Sequence, residues 1–129
     1  SKDLSNEERL EIVYNELDKI LKKYKPEFMA IEDLFYFKNN KTVISVAQAR
    51  GVEILSFIKK NILAYEYTPL QVKQAITGYG RADKKQMQES IKMIFKLKSV
   101  PKPDDAADAL AIALCHFFSL KFKEQFRMK

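Results

Sequence analysis

The chain has 129 residues, of which 47% are hydrophobic and 31% are charged, and its formal net charge is +6. That length suffices for one domain, residues 1–129, with a core that needs no disulfide or structural metal. No apolar run is long enough to cross a membrane, and one cysteine with one histidine excludes a zinc site built from these residues. We therefore expect a cytoplasmic protein without a membrane partner, and the basic charge favours a polyanionic one.

Helix and strand patterns alternate in the first half of the chain. A capping box formed by Ser5 and Glu8 opens a one-sided apolar helix. The apolar run at 28–32 predicts a buried strand with Glu32 at its carboxyl end, the end where ligands collect in open α/β sheets. A long helix follows at about 42–61. Its wide apolar stripe fits either a dimer interface or burial in the protein's own core.

The second half starts with a strand at 63–67 and continues with three helices. Thr68 is expected to cap the first helix, and the glycine-containing turn at 78–80 to end it. Helices at about 83–95 and 104–122 complete the pattern. This order predicts an α/β layered domain. Two strands make a poor sheet, however, so either further strands precede the first residue or the fold is mostly helical.

Carboxylates interrupt the apolar sequence of the last helix. Asp105 and Asp108 are three residues apart, so both should project from one face of the first turn, which we expect to be buried. In the structural alternative Asp104 caps this helix and Asp105 is an ordinary first-turn charge, which leaves Asp108 unexplained. With Glu32, the pair predicts a site for Mg²⁺, either catalytic or purely structural. Glu66 is either a substitute ligand or a polar residue at the sheet edge.

Basic residues gather in clusters instead of being evenly offset by acids. Each cluster taken alone is typical of a solvated helix face. Together with the predicted carboxylate site, they favour a phosphodiester as substrate over a sugar or a peptide. The clusters lie at 19–25, 38–41, 81–85 and 92–102.

Five sequence blocks carry a resemblance to a known family. The blocks are 30–32, 47–51, 71–74, 78–84 and 105–111. In order and spacing they resemble the RuvC-type Holliday-junction resolvases, over roughly Arg9 to His116. The resemblance implies an RNase H-like α/β fold, with a mixed sheet flanked by helices. It also implies a crossover junction endodeoxyribonuclease that resolves four-way DNA junctions by symmetric, Mg²⁺-dependent phosphodiester hydrolysis in recombination and repair.

The resemblance assigns catalytic and metal-binding roles residue by residue. Glu32, Asp105 and Asp108 correspond to three of four acidic ligands for two Mg²⁺ ions, with Mn²⁺ as a substitute. Lys73 and Lys84 correspond to catalytic lysines that neutralise the phosphate of the cleaved strand. Read without the family, these lysines would be ordinary surface charges.

The implied DNA-binding residues are Phe35, Arg81 and the lysines Lys73 and Lys84. Phe35 resembles the aromatic residue that contacts unpaired bases at the junction centre, although an aromatic cluster after a strand is also typical of a core. His116 lies about 16 Å along the helix from Asp105, which is too far to share its site. We interpret it as a packed or capping histidine.

The resemblance further implies a homodimer, four-way junction DNA as partner, and the branch-migration complex RuvA/RuvB. The family's first catalytic aspartate lies on an N-terminal strand of a β-hairpin region that this sequence does not show, and Asp3 precedes a helix instead. We therefore expect a portion of a resolvase, inactive as given if the fourth acid lies ahead of Ser1. The alternative is a nuclease-deficient module that binds branched DNA without cutting it.

Overall fold

The computed structural model describes residues 3–33 and 40–120, which form five helices and two strands. In chain order these are α1 (Asn6–Tyr24), β1 (Phe28–Glu32), α2 (Asn40–Lys59), β2 (Leu63–Tyr67), α3 (Pro69–Thr77), α4 (Lys84–Ile94) and α5 (Asp104–Phe118). Every predicted element is present in the predicted order, and the α/β class is confirmed. The last helix is shorter than predicted, because Ser119 already forms its C-cap.

The two strands pair side by side. At one end the N–H of Leu63 donates to the carbonyl of Glu27 at 3.3 Å, and at the other the N–H of Asp33 donates to the carbonyl of Tyr67 at 2.8 Å. Both strands therefore run in the same direction, which requires a crossover connection, and α2 lies in that connection. The carboxyl ends of both strands, including Glu32, consequently lie at the same edge.

Side-chain caps determine where three of the helices begin. In each case the side chain of the cap accepts a hydrogen bond from the backbone N–H of the third helical residue. The side chain of that third residue in turn accepts one from the backbone N–H of the cap, which completes a capping box. The caps are Ser5, Thr68 and Asp83. The start of α5 differs: Pro103 is its N-cap and makes no side-chain bond, so the alternative in which Asp104 caps this helix is wrong. Asp104 is instead the first residue of the helix.

The described residues fall into two compact units. The first contains α1, α2 and the adjoining first residues of both strands. Leu21 of α1 and Phe57 of α2 are each 3% exposed and belong to its core. A carboxylate on α1, Asp18, lies 2.6 Å from the Lys60 ammonium, which with Lys22 holds the pKa of that carboxyl below its ordinary value. The single domain predicted for the chain stays a prediction.

The second unit contains the last residues of both strands together with α3, α4 and α5, which pack against one another. Its core includes the rings of Tyr65, Tyr67 and His116. The Tyr67 hydroxyl is hydrogen-bonded to His116 Nδ1, and the Tyr65 and His116 ring centroids lie 4.7 Å apart. His116 is 8% exposed, which confirms the predicted packed histidine. These contacts hold α5 against the end of β2.

None of the described helices combines the length and the apolar character needed to cross a bilayer.

Candidate active site

A cavity of about 280 Å³ lies within the second unit, among α3, α4, α5 and the end of β1. Its polar lining comes from four elements and includes two carboxylates and two ammonium groups. These side chains are Glu32, Lys73, Lys84, Gln88 and Asp108. The remaining lining is largely apolar and is formed by Pro69, Val72, Met87, Ile91, Ala107, Ala111 and Ile112. Four of the predicted site residues therefore meet at one cavity.

The buried residues next to Glu32 and Asp108 determine how these two carboxylates are oriented. In β1 the side chain of Ile31 is buried, so the next residue, Glu32, faces the opposite side and is exposed. In α5 the small residues Ala107 and Ala111 are buried, which lets this helix approach its neighbours closely. Asp108 follows Ala107 directly and is rotated by about 100° from it. Its short side chain therefore reaches the cavity while staying exposed.

The two lysines are aimed by the helices that carry them. Lys73 lies on α3 directly after Val72, which is buried and anchors that helix. Lys84 is the first residue of α4, and the capping box of Asp83 determines where that helix starts. Between them α3 ends at Gly78, whose φ of 77° is a left-handed conformation that glycine adopts without strain. This turn brings α4 back alongside α3.

Lys84 is already engaged by a carboxylate of α5. Its ammonium lies 2.7 Å from Asp104 Oδ2, and Gln88 Nε2 donates to Asp104 Oδ1 at 3.2 Å. The bond to Asp104 is the main cause that raises the pKa of Lys84, with smaller contributions from the charges of Asp108 and Asp105. The same ammonium lowers the pKa of Asp104. At neutral pH both groups are therefore charged.

The expectation that Asp105 and Asp108 occupy a buried face is wrong, because both are exposed. The buried face of α5 is formed by alanines and by residues of its last turns, and the carboxylates are rotated away from it. Exposure removes the desolvation cost that a buried carboxylate would carry. Asp105 is not among the residues that line the cavity, so the predicted trio of acids is only partly gathered.

The donor chemistry of the cavity suits a hard divalent cation, because carboxylate oxygens are the ligands that Mg²⁺ prefers. Glu32 and Asp108 supply two such groups at one cavity. Within residues 3–33 and 40–120, no group of three or more potential metal-ligating side chains converges. The residues present thus fit part of a magnesium site, and the assigned ligand roles stay predictions.

Two further residues from the sequence analysis lie elsewhere. Arg81 is exposed in the turn before α4 and does not line the cavity. Glu66, the suggested substitute ligand, does not line it either. Phe35 lies outside the described residues.

Gln88 and the pairing of Asp104 were not predicted from the sequence. Gln88 lies four residues after Lys84, a spacing that places both side chains on one face of α4. From that spacing, Gln88 could have been predicted to lie beside Lys84. The pairing of both residues with Asp104 could not, because it joins residues 16 or more positions apart in different helices.

Comparison with known proteins places the chain in a family. The family described as "Crossover junction endodeoxyribonuclease RuvC" matches residues 1–116. The chain belongs to this family. This match confirms the predicted family and its nuclease function. The family is one of metal-dependent junction endonucleases.

Two curated relatives with the same description, crossover junction endodeoxyribonuclease RuvC, show the extent of the match. The protein from Fusobacterium nucleatum is 69% identical over 126 residues, which are 98% of this chain and 66% of the relative. The protein from Finegoldia magna is 58% identical over 122 residues, covering 95% of this chain and 74% of the relative. The chain thus spans about two thirds to three quarters of the length of these relatives.

Solved RuvC structures from Thermus thermophilus share the fold. One has a TM-score of 0.87 at 31% sequence identity and covers 98% of this chain and 75% of its own. Another, in complex with a Holliday junction substrate, has a TM-score of 0.87 at 29% identity, with coverages of 99% and 78%. The fold predicted from the RuvC resemblance is therefore confirmed.

Proposed function

We propose that this chain carries the nuclease site of a resolvase that cuts four-way DNA junctions by Mg²⁺-dependent phosphodiester hydrolysis. The observation that carries the proposal is the cavity at which Glu32, Asp108, Lys73 and Lys84 meet. Carboxylates and ammonium groups in one cavity suit a substrate that is itself an anion and needs both a cation and direct charge neutralisation.

The acids of the site hold the divalent cation. Glu32 and Asp108 supply carboxylate oxygens in the cavity, and Asp105, from the same first turns of α5, is proposed as a third ligand. When bound, Mg²⁺, or Mn²⁺ in its place, supplies Lewis-acid stabilisation of the phosphate and an activated water. We propose two ions, as the resemblance implies.

The lysines bind and orient the phosphate. Lys73 and Lys84 reach the cavity from α3 and α4, so they can contact a phosphate from two directions and neutralise the charge that grows during hydrolysis. Apart from the cation, charge stabilisation in this site therefore comes from the two ammonium groups.

Contacts outside the cavity are proposed to hold the junction. Arg81 is exposed in the turn between α3 and α4 and can contact a neighbouring phosphate. Phe35 is proposed to stack on unpaired bases at the junction centre. The net charge of +6 supports a salt-sensitive complex with DNA.

A homodimer is proposed through the outer face of α2. Ile44, Leu55 and Ile58 are 69%, 53% and 62% exposed, and their spacing places them on one face of the helix. Two copies related by a two-fold axis would match a junction that is nicked on two symmetric strands. Action alongside RuvA and RuvB is proposed because the family resemblance implies it, and a location in the cytoplasm is proposed with it.

The test is nicking of a synthetic four-way junction by the protein at the full length that its gene encodes, in the presence of Mg²⁺. Combined Asp105→Asn and Asp108→Asn substitutions should abolish nicking while junction binding persists, because they remove ligands and leave the lysines. Glu89→Gln, which neutralises an exposed acid of α4 outside the cavity, is the matched control and should cut normally.

Undiminished nicking by the double variant would overturn the proposed site. Junction binding by the unsubstituted protein without any Mg²⁺-dependent product would favour the alternative, a nuclease-deficient module for branched DNA.

A further inference from the structure

The Lys84 ammonium lies near the carboxylates at the start of α5, yet its hydrogen bond goes to one that does not line the cavity. Asp104 Oδ2 is 2.7 Å from Lys84 Nζ, whereas Asp108 shares the cavity lining with Lys84. The charges of Asp105 and Asp108 also act on Lys84, because both help to raise its pKa. A flexible lysine side chain can pair with any of several nearby carboxylates, so other contacts must favour one of them.

Gln88 supplies that selection by anchoring Asp104. Its Nε2 donates to Asp104 Oδ1 at 3.2 Å, while Lys84 takes Oδ2, so each carboxylate oxygen has its own donor. Lys84 and Gln88 are one helical turn apart on α4, so two side chains of one helix bind the Asp104 carboxylate together. These two contacts keep the Lys84 ammonium at Asp104.

We propose that Asp104 is a positioning residue that keeps the Lys84 ammonium off Asp108, so that Asp108 stays available to a divalent cation. This inference rests on the proposed function, in which Asp108 is a metal ligand. Without the Asp104 carboxylate, the carboxylates left near Lys84 include that of Asp108, which lines the same cavity. An ammonium paired with Asp108 occupies the oxygens that the cation needs, and the two then compete for one carboxylate.

The test measures Mg²⁺ binding by isothermal titration calorimetry on the full-length protein without DNA. Asp104→Asn should raise the Mg²⁺ dissociation constant about three- to fivefold, the range expected from an exposed ion pair. Asp104→Glu should restore binding, because it keeps the carboxylate. In a Lys84→Met background the competitor is gone, so adding Asp104→Asn should leave the dissociation constant unchanged within about 1.5-fold.

The Lys84→Met background separates positioning from plain charge. If Asp104 acted only through its own negative charge, or as a ligand, Asp104→Asn would weaken Mg²⁺ binding equally in both backgrounds, and the inference would be overturned. Unchanged binding by the single Asp104→Asn variant would overturn it as well. In either case the proposed function would stand, provided that the unsubstituted protein binds Mg²⁺.

Failure of the unsubstituted protein to bind Mg²⁺ at millimolar concentration would overturn the proposed function together with this inference. Thermal melting of each variant shows whether it is folded. Asp104 is exposed and makes no cap bond in α5, so its substitution should leave the melting temperature close to that of the unsubstituted protein.

Discussion

The two ends of α5 carry polar side chains in opposite environments. At the first turns, Asp105 and Asp108 are exposed, and Asp108 borders the cavity. At the last turns, Cys115 and His116 are buried, and the Tyr67 hydroxyl is bonded to the histidine ring. One helix thus presents charge to a cavity at one end and completes the core of its unit at the other.

This contrast shows how a polar residue in an apolar helix can be interpreted. The ring of His116 is hydrogen-bonded to Tyr67 and packs against Tyr65 in the core, so its contribution is structural. Asp108 stays exposed at the cavity and keeps its oxygens available, as a metal ligand must. The environment of each side chain, rather than its chemical type, therefore separates a candidate ligand from a core residue.

Among substitutions at the two ends of α5, Asp108→Asn should reduce activity the most. Junction nicking should fall at least about 100-fold, because a charged ligand in the cavity becomes neutral. Asp105→Asn should cost less, since Asp105 does not line the cavity. The melting temperature of both variants should change by no more than about 2 °C. Nicking rates under single-turnover conditions provide the measurement, and a larger loss in Asp105→Asn would contradict the stated order.

At the buried end of α5, Tyr67→Phe should lower stability and leave nicking almost unchanged, the reverse of Asp108→Asn. It leaves the Nδ1 atom of His116 without its hydroxyl partner, which should lower the free energy of unfolding by about 1–3 kcal/mol. Nicking by the folded protein should stay within about twofold, because Tyr67 does not line the cavity. Urea denaturation measures the first quantity. A stable but inactive variant would break the division between the two ends of α5.

The smallest expected effect is a pH dependence at the same buried end. Desolvation is the main cause that raises the pKa of Tyr67 to about 12, from an ordinary value of 10.0. The folded state thus binds this proton more tightly than the unfolded chain does, and the associated stability is complete below pH 10 and is lost as pH rises through 12. The stability advantage over Tyr67→Phe should shrink across that range in urea titrations. A constant difference would show that the hydroxyl is not protected from ionisation.

Most of the fold was predictable from the sequence because its signals are local. Capping residues such as Ser5 and Thr68, together with the spacing of apolar side chains, predict helix starts and faces within a few residues. The end of α5 was less predictable, because the apolar pattern runs on past Phe118, where the helix stops. Helix ends without a glycine or proline leave a weak signal.

The candidate site was predictable in its residue types and only partly in its geometry. Glu32, Lys73, Lys84 and Asp108 were expected together and line one cavity, whereas Asp105 lies outside it. A cap of α5 was the alternative considered for Asp104, which instead pairs with Lys84. The sequence suggests only the local role of an aspartate at a helix start, whereas its distant partner depends on the tertiary structure.

By itself, the sequence determined the order of helices and strands, the carboxylates in the first turns of α5, and the family to which the chain belongs. Tertiary structure alone decided which of these carboxylates faces the cavity, which one holds Lys84, and that His116 bonds with Tyr67. The physical reason is that periodicity and capping act between residues a few positions apart. Pairings across helices depend instead on how each helix is rotated about its axis, and close packing of the buried side chains determines that rotation.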